Sequence, residues 1–152
     1  MKNGNGFVKE YNKYGELLFE GEYLNGERWN GKGKEYDYDG KLRFEGEYLN
    51  GEINGKGKEY YDNGKLEFEG EYLNGERNGK GKEYDDWNGN LIFEGEYLNG
   101  KRNGKGKEYW NGKLIFEGEY LNGERNGKGK EYYYDGELIF EGEYLNGERK
   151  KI

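Results

Sequence analysis

Along most of the chain, apolar and polar positions alternate with a period of two. Leu66, Phe68, Gly70 and Tyr72 fall on one side, while Lys65, Glu67, Glu69 and Glu71 fall on the other. That is the pattern of a half-buried strand rather than a helix. Asn74-Gly75 follows at once, and this dipeptide favours a two-residue hairpin because both residues accept positive φ. A return strand then starts at Gly79-Lys80-Gly81-Lys82, and Asp62-Asn63-Gly64 marks the turn between one hairpin and the next. An interior glycine costs a helix about 1 kcal/mol, so the 30 glycines leave no credible helical window. The pattern predicts an antiparallel meander.

The same pattern recurs from end to end. F-E-G-E-Y-L-N-G begins at Phe19, Phe44, Phe68, Phe93, Phe116 and Phe140, at offsets of 23 to 25 residues. Between the copies, N-G-K-G-K-E-Y begins at Asn30, Asn54, Asn78, Asn103 and Asn126. A degenerate first copy at Asn5–Tyr11 carries Phe7-Val8 in place of Lys-Gly. Six hairpin units therefore span residues 1–152 as a single repeat domain. The expected fold is all-β: about twelve strands in an open, elongated and twisted antiparallel sheet. A large ring lies well on the bare backbone of a neighbouring glycine, so Phe68, Tyr72 and their equivalents are expected over Gly79 and Gly81. The other face then sets Glu67, Glu69 and Glu71 near Lys80 and Lys82. Strict alternation puts Glu83 on the ring face, which predicts a bulge near Lys82-Glu83-Tyr84.

Composition narrows the chemistry. Only thirteen residue types occur, and Ser, Thr, Ala, Gln, Pro, Cys and His are absent. The usual hydroxyl and thiol nucleophiles and the neutral-pH base are therefore missing, as are Cys/His zinc sites and disulfides. Leu, Ile, Val and Phe supply 26 of 152 residues, a level at which disorder becomes a fair default. The 27 aromatics, 17 of them Tyr, and their strict spacing argue for order instead. A formal net charge of -7 with interleaved signs disfavours nucleic acid and anionic lipid as partners. No apolar run approaches a membrane span, and Met1 to Glu20 holds no signal-peptide core. The expectation is a soluble, cytoplasmic protein without cofactor or metal.

The core F-E-G-E-Y-L-N-G-E-R-N-G-K-G, as at Phe68 to Gly81, resembles the MORN repeat, whose units carry Y-x-G-x-W-x-N-G-x-x-x-G-x-G. Phe stands for the family's usual first Tyr, and Tyr for its usual Trp. The tail K-E-Y-Y-D-N-G-K-L at Lys58 to Leu66 is more similar to MORN-variant repeats of bacterial proteins. The resemblance implies one hairpin per unit and an aromatic-lined sheet that serves as a scaffold or accessory module. It also implies self-association for some members, lipid binding for others and an antitoxin role for some bacterial relatives.

Carboxylate pairs such as Glu69/Glu71 recur as Glu20/Glu22, Glu45/Glu47, Glu94/Glu96, Glu117/Glu119 and Glu141/Glu143. An acid–base pair needs one water-poor pocket to split its pKa values, and six equivalent exposed pairs do not supply it, so no catalytic residue is expected. Asp37-Tyr38-Asp39-Gly40 and Asp85-Asp86-Trp87-Asn88-Gly89 have calcium-loop composition but lack a bidentate Glu at loop distance, and their residues are ordinary turn formers. Residues that break the repeat are the better site candidates. Trp29 is inserted in one turn, and Trp87, Trp110, Tyr133 and Tyr134 occupy three consecutive turns at the opposite sheet edge. With units about 9.6 Å apart, these rings either form an interface row for a protein partner or a second copy, or shield the hairpin ends. The alternative from another class is an aromatic platform for choline or glucan. Adding calcium or EDTA is expected to leave the melting temperature unchanged; a shift of several degrees would overturn the turn reading of Asp37, Asp39, Asp85 and Asp86.

Overall fold

The computed structural model describes residues 4–151. Among them are thirteen strands: β1 (Gly6–Tyr11), β2 (Leu17–Leu24), β3 (Glu27–Tyr36), β4 (Leu42–Leu49), β5 (Glu52–Tyr60), β6 (Leu66–Leu73), β7 (Glu76–Tyr84), β8 (Leu91–Leu98), β9 (Lys101–Trp110), β10 (Lys113–Leu121), β11 (Glu124–Tyr132), β12 (Leu138–Leu145) and β13 (Glu148–Arg149). They follow chain order in one open antiparallel meander. The strand beyond the expected twelve is the two-residue β13. The chain divides into two compact units between Glu76 and Arg77.

The Asn-Gly turns hold as the sequence predicts. Asn50 and Gly51 have φ of 50° and 82°, and Asn122 and Gly123 have 51° and 91°, the left-handed pair that a two-residue hairpin needs. Each turn is also tied to the one before it. Gly123 N–H donates to the Arg102 carbonyl at 2.9 Å and Gly147 N–H to that of Arg125 at 2.9 Å. The Asn122 and Asn146 amides donate to the Asn103 and Asn126 side chains, each at 3.3 Å.

Glycine is required where strands and rings converge. In the second unit Gly81 pairs with Gly95, Gly95 with Gly106, Gly106 with Gly118, Gly118 with Gly129, and Gly129 with Gly142. In the first unit the same row runs Gly33, Gly46, Gly57, Gly70. A Cβ at Gly106 would lie 2.6 Å from the Phe93 ring and 2.9 Å from the Tyr120 ring. Phe19, Phe68, Phe93 and Phe116 are fully buried, and edge-to-face contacts link the rings in a column. Phe93 meets Tyr97 at 5.7 Å and Tyr120 at 5.2 Å; Phe116 meets Tyr120 at 5.7 Å and Tyr144 at 5.2 Å.

The structure corrects how the rings use the glycines. Phe lies over the return strand that follows it, as expected. Tyr reaches back over the strand that precedes it: Tyr72 over Gly57, Tyr120 over Gly106, Tyr144 over Gly129. In the Gly-Lys-Gly segments of β5, β9 and β11 it is the second glycine that carries the rings; in β3 the Phe19 ring lies against both Gly31 and Gly33. The first glycine of those three segments belongs to a bulge. Between the pairs Gly95/Gly106 and Tyr97/Arg102, one residue, Glu96, faces three. Its carboxylate accepts the Lys105 amide at 2.6 Å, and Gly104 supplies φ of 98° beneath it. Glu47 with Lys56 and Glu119 with Lys128 repeat the device.

A second bulge falls between Glu83 and Tyr84, where the pattern predicts one, but the extra residue is Ile92 on the partner strand. Leu18, Arg43, Glu67, Ile115 and Ile139 take the same place in other hairpins. Glu83 consequently stays on the ring face. On the opposite face the Lys/Glu pairing is as expected in equivalent strands: Lys107 stands across from Glu94 and Glu117, and Lys130 across from Glu117 and Glu141. Exposed pairs of this kind contribute tenths of a kcal/mol each and mainly hold register.

Val8 explains the degenerate first copy. It pairs with Gly21 in the place that glycine takes in other return strands. Among the described residues β1 pairs with β2 alone and no Phe ring lies over this position, so a side chain fits there. Phe93→Ala and Phe116→Ala should each cost about 2–4 kcal/mol in urea unfolding, and Gly106→Ala about 1–3 kcal/mol by overpacking; losses below 1 kcal/mol would show that ring-on-glycine contact is not the core.

Candidate functional site

The ring face holds a cluster that the alternation rule marks only as a conflict. Glu83 accepts hydrogen bonds from the Tyr97 hydroxyl and from Arg102 Nε at 2.7 Å. The Arg102 guanidinium in turn lies over the Phe93 ring, 4.0 Å from its centroid. One repeat later, Glu108 accepts from Tyr120 and from Arg125 at 2.7 Å, and Arg125 lies 4.0 Å over Phe116. Arg149 stands over Phe140 and pairs with Glu131; Arg28 and Glu10 do the same at the chain's start. Burial pushes the Glu83 and Glu108 carboxyls up, but the Arg and Tyr donors outweigh it and hold both below the ordinary value of 4.5. Each tyrosine hydroxyl is driven upward by burial and by the carboxylate beside it. The cluster is therefore a closed ionic and aromatic cap on the core. It has no free base and no nucleophile.

The candidate aromatics lie at hairpin ends of the second unit. Trp87 sits in the turn between β7 and β8, where the Asp85 carboxylate accepts its amide at 2.7 Å. Trp110 is the last residue of β9 rather than a turn residue, paired with Lys113 across Asn111-Gly112. Tyr133 and Tyr134 open the turn after β11, closed by Gly136 N–H donating to the Tyr133 carbonyl at 2.9 Å. Trp87 is 83% exposed, Trp110 54%, Tyr133 56% and Tyr134 60%. An open groove of about 450 Å³ is lined by Lys113, Leu114, Tyr132, Tyr134, Asp135 and Gly136. The Glu117 carboxylate accepts from Tyr132 at 2.6 Å and pushes that hydroxyl up to about 12, so it stays protonated. The groove thus offers rings, one cation and one carboxylate. Sequence reasoning missed its Lys113, Leu114, Tyr132 and Asp135, which look like ordinary repeat residues.

Trp29 belongs to the first unit, and it is not in a turn. It lies in β3, between the pairs Tyr23/Arg28 and Glu22/Asn30, as a single-residue bulge. Its half-buried ring packs on Gly51, whose amide donates to the Trp29 carbonyl at 3.0 Å. The Asp loops serve as turns: Asp37 Oδ1 accepts the Asp39 and Lys41 amides at 2.9 Å each, and Oδ2 takes Arg43.

The MORN repeat model matches residues 68–89, 93–113 and 116–137, and the MORN repeat variant model matches 29–50 and 53–74. The chain is a tandem MORN repeat protein. No curated protein matches it. The MORN frame opens at the buried Phe of each hairpin and the variant frame opens on the return strand, at Trp29 and Ile53, so both cut the same ladder at different points. MORN repeats are non-catalytic modules. Because the folded-state pKa values of Glu83 and Glu108 are depressed, their stabilisation is complete above the ordinary carboxylate value of about 4.5 and is lost as pH falls below it through the lower folded-state values. Glu108→Gln should cost about 1–3 kcal/mol at neutral pH and flatten the acid limb of a stability–pH profile; an acid limb unchanged from wild type would show that the cap contributes nothing.

Proposed function

We propose that this MORN protein is a non-enzymatic scaffold that binds a protein partner, or a second copy of itself, through the aromatic hairpin ends of its second unit. The observation that carries this reading is the exposure of Trp87, Trp110, Tyr133 and Tyr134 at three consecutive hairpin ends. The core rings of the same unit are nearly inaccessible. Large exposed rings are the residues that dominate binding energy at protein interfaces. The groove beside Tyr134 adds Lys113 and Asp135 at its rim, which suits a partner carrying an apolar or aromatic anchor flanked by polar groups.

Replacing Trp87 or Trp110 by Ala should cost well under 1 kcal/mol of stability and weaken association with a partner, or of the chain with itself, by about tenfold or more. Affinity and unfolding are to be measured on the same variants. A Trp110→Ala chain that unfolds, with association of the remaining folded protein unaltered, would make the ring a structural shield. Retention on immobilised choline or glucan, lost with the same substitutions, would favour a small-ligand platform.

A further inference from the structure

Asn-Gly recurs in the strand connections along the chain, and the pair carries a reactivity of its own. Glycine has no Cβ to shield its backbone nitrogen, so that nitrogen can attack the amide carbon of the asparagine side chain. In most connections the nitrogen is occupied. Gly26, Gly51, Gly75, Gly100, Gly123 and Gly147 donate to a carbonyl of the preceding repeat at 2.9 to 3.0 Å. Gly64 and Gly89 donate within their own turns, to the Tyr61 and Asp85 carbonyls at 3.0 Å. The side chains of Asn63 and Asn88 are held as well, accepting the Lys65 and Asn90 amides at 2.9 Å. Asn111-Gly112 differs. It lies in the shortest repeat, 23 residues from Phe93 to Phe116, where two residues replace the longer turns that join the other hairpins. Both residues are exposed, with φ of 48° and 80°. Among the described residues, neither the Gly112 N–H nor the Asn111 side chain has a hydrogen-bond partner.

We propose that Asn111 is a site of spontaneous chemical modification, at which the Gly112 nitrogen cyclises onto the side chain, and that the fold protects the other Asn-Gly turns from the same reaction. The Gly112 nitrogen bonds to Asn111 Cγ and gives up its proton. The bond from Cγ to Nδ2 breaks, and the side-chain nitrogen leaves with that proton as ammonia. Water then opens the five-membered imide at either carbonyl; nothing is oxidised or reduced. One opening leaves an ordinary aspartate. The other leaves an isoaspartate, whose backbone runs through Cβ and Cγ and is longer by a carbon. To cyclise, the asparagine must leave the left-handed conformation of its turn. At Asn122 that movement breaks the ties of Gly123 to Arg102 and of Asn122 to Asn103, whereas Asn111 has no tie of that kind to break. An aspartate keeps the turn, since Asp-Gly also favours it. An isoaspartate spoils the two-residue closure that pairs Trp110 with Lys113. Either product sets a new carboxylate between these two residues of the aromatic edge. The modification stands apart from the binding role proposed for that edge; only an effect on a partner rests on that reading.

The test incubates the full chain at mildly alkaline pH, digests it and follows each Asn-Gly peptide by mass spectrometry, with fragmentation that separates isoaspartate from aspartate. Asn111 should convert at least about tenfold faster than Asn74, Asn99 and Asn122, whose ties must break first, and both products should appear. In denaturant, where every turn is open, the four rates should converge. Conversion of Asn111 no faster than the other three, or an equal lead in denaturant, would overturn the proposal. In a second arm, Asn111→Gly accepts the same positive φ and has no side chain to cyclise. It should slow the build-up of the acidic form that ion-exchange chromatography resolves as the wild type ages. Build-up at the wild-type rate would place the reactive asparagine elsewhere and sink the site.

Discussion

The fold depends on one contact: a phenylalanine ring laid across the bare backbone of the neighbouring strand. A single sheet has no second layer to bury its apolar face, and this chain has few aliphatic residues with which to build one. Ring-on-glycine packing recovers burial without that layer. It also dictates much else. Glycines must pair with glycines across the sheet, so that Gly95, Gly106, Gly118, Gly129 and Gly142 form a row. The spacing between repeats is then held by whatever keeps that row in line, namely the Asn-Gly turns and the Glu-filled bulges.

A ring lying flat on one strand still has its other face toward water. Here the arginines cover it. Arg102 and Arg125 sit 4.0 Å over Phe93 and Phe116, each held by a glutamate of the preceding repeat that also accepts a hydrogen bond from a tyrosine hydroxyl. Cation–π contact and a charge-assisted hydrogen bond reinforce each other, because the carboxylate fixes the guanidinium where the ring attracts it. Within the second unit the cap links one repeat to its predecessor, so a hairpin there is completed by its neighbour. Where Ile53 replaces the arginine, an aliphatic side chain takes over the position.

The fold was legible in the sequence because its signals are local. Period-two alternation, Asn74-Gly75 and a repeat of 23 to 25 residues suffice for a chain-order meander. What stayed hidden depends on pairing between strands. Alternation marked Glu83 as misplaced, yet only the structure shows that Arg102 and Tyr97 make its place a favourable one. Nor could spacing reveal that Tyr120 turns back to Gly106, or that Gly104 serves a bulge and not a ring. Trp29 reads as a turn insertion, but the turn keeps its two residues and the bulge absorbs the extra one. At the aromatic edge, the irregular residues Trp87, Trp110, Tyr133 and Tyr134 announce themselves, whereas Lys113 and Asp135 are ordinary repeat residues placed there by the hairpin.

Near-identical strands pose a sorting problem during folding, and the chain-order topology answers it. β2 could in principle pair with β5 instead of β3, since both carry the Gly-Lys-Gly segment. That error closes a loop of a whole repeat in place of a two-residue turn, at an additional entropic cost on the order of 2 kcal/mol. Short loops also close within microseconds, ahead of distant encounters. The nearest copy is therefore captured first, and a chain built from copies of one hairpin folds without confusing them.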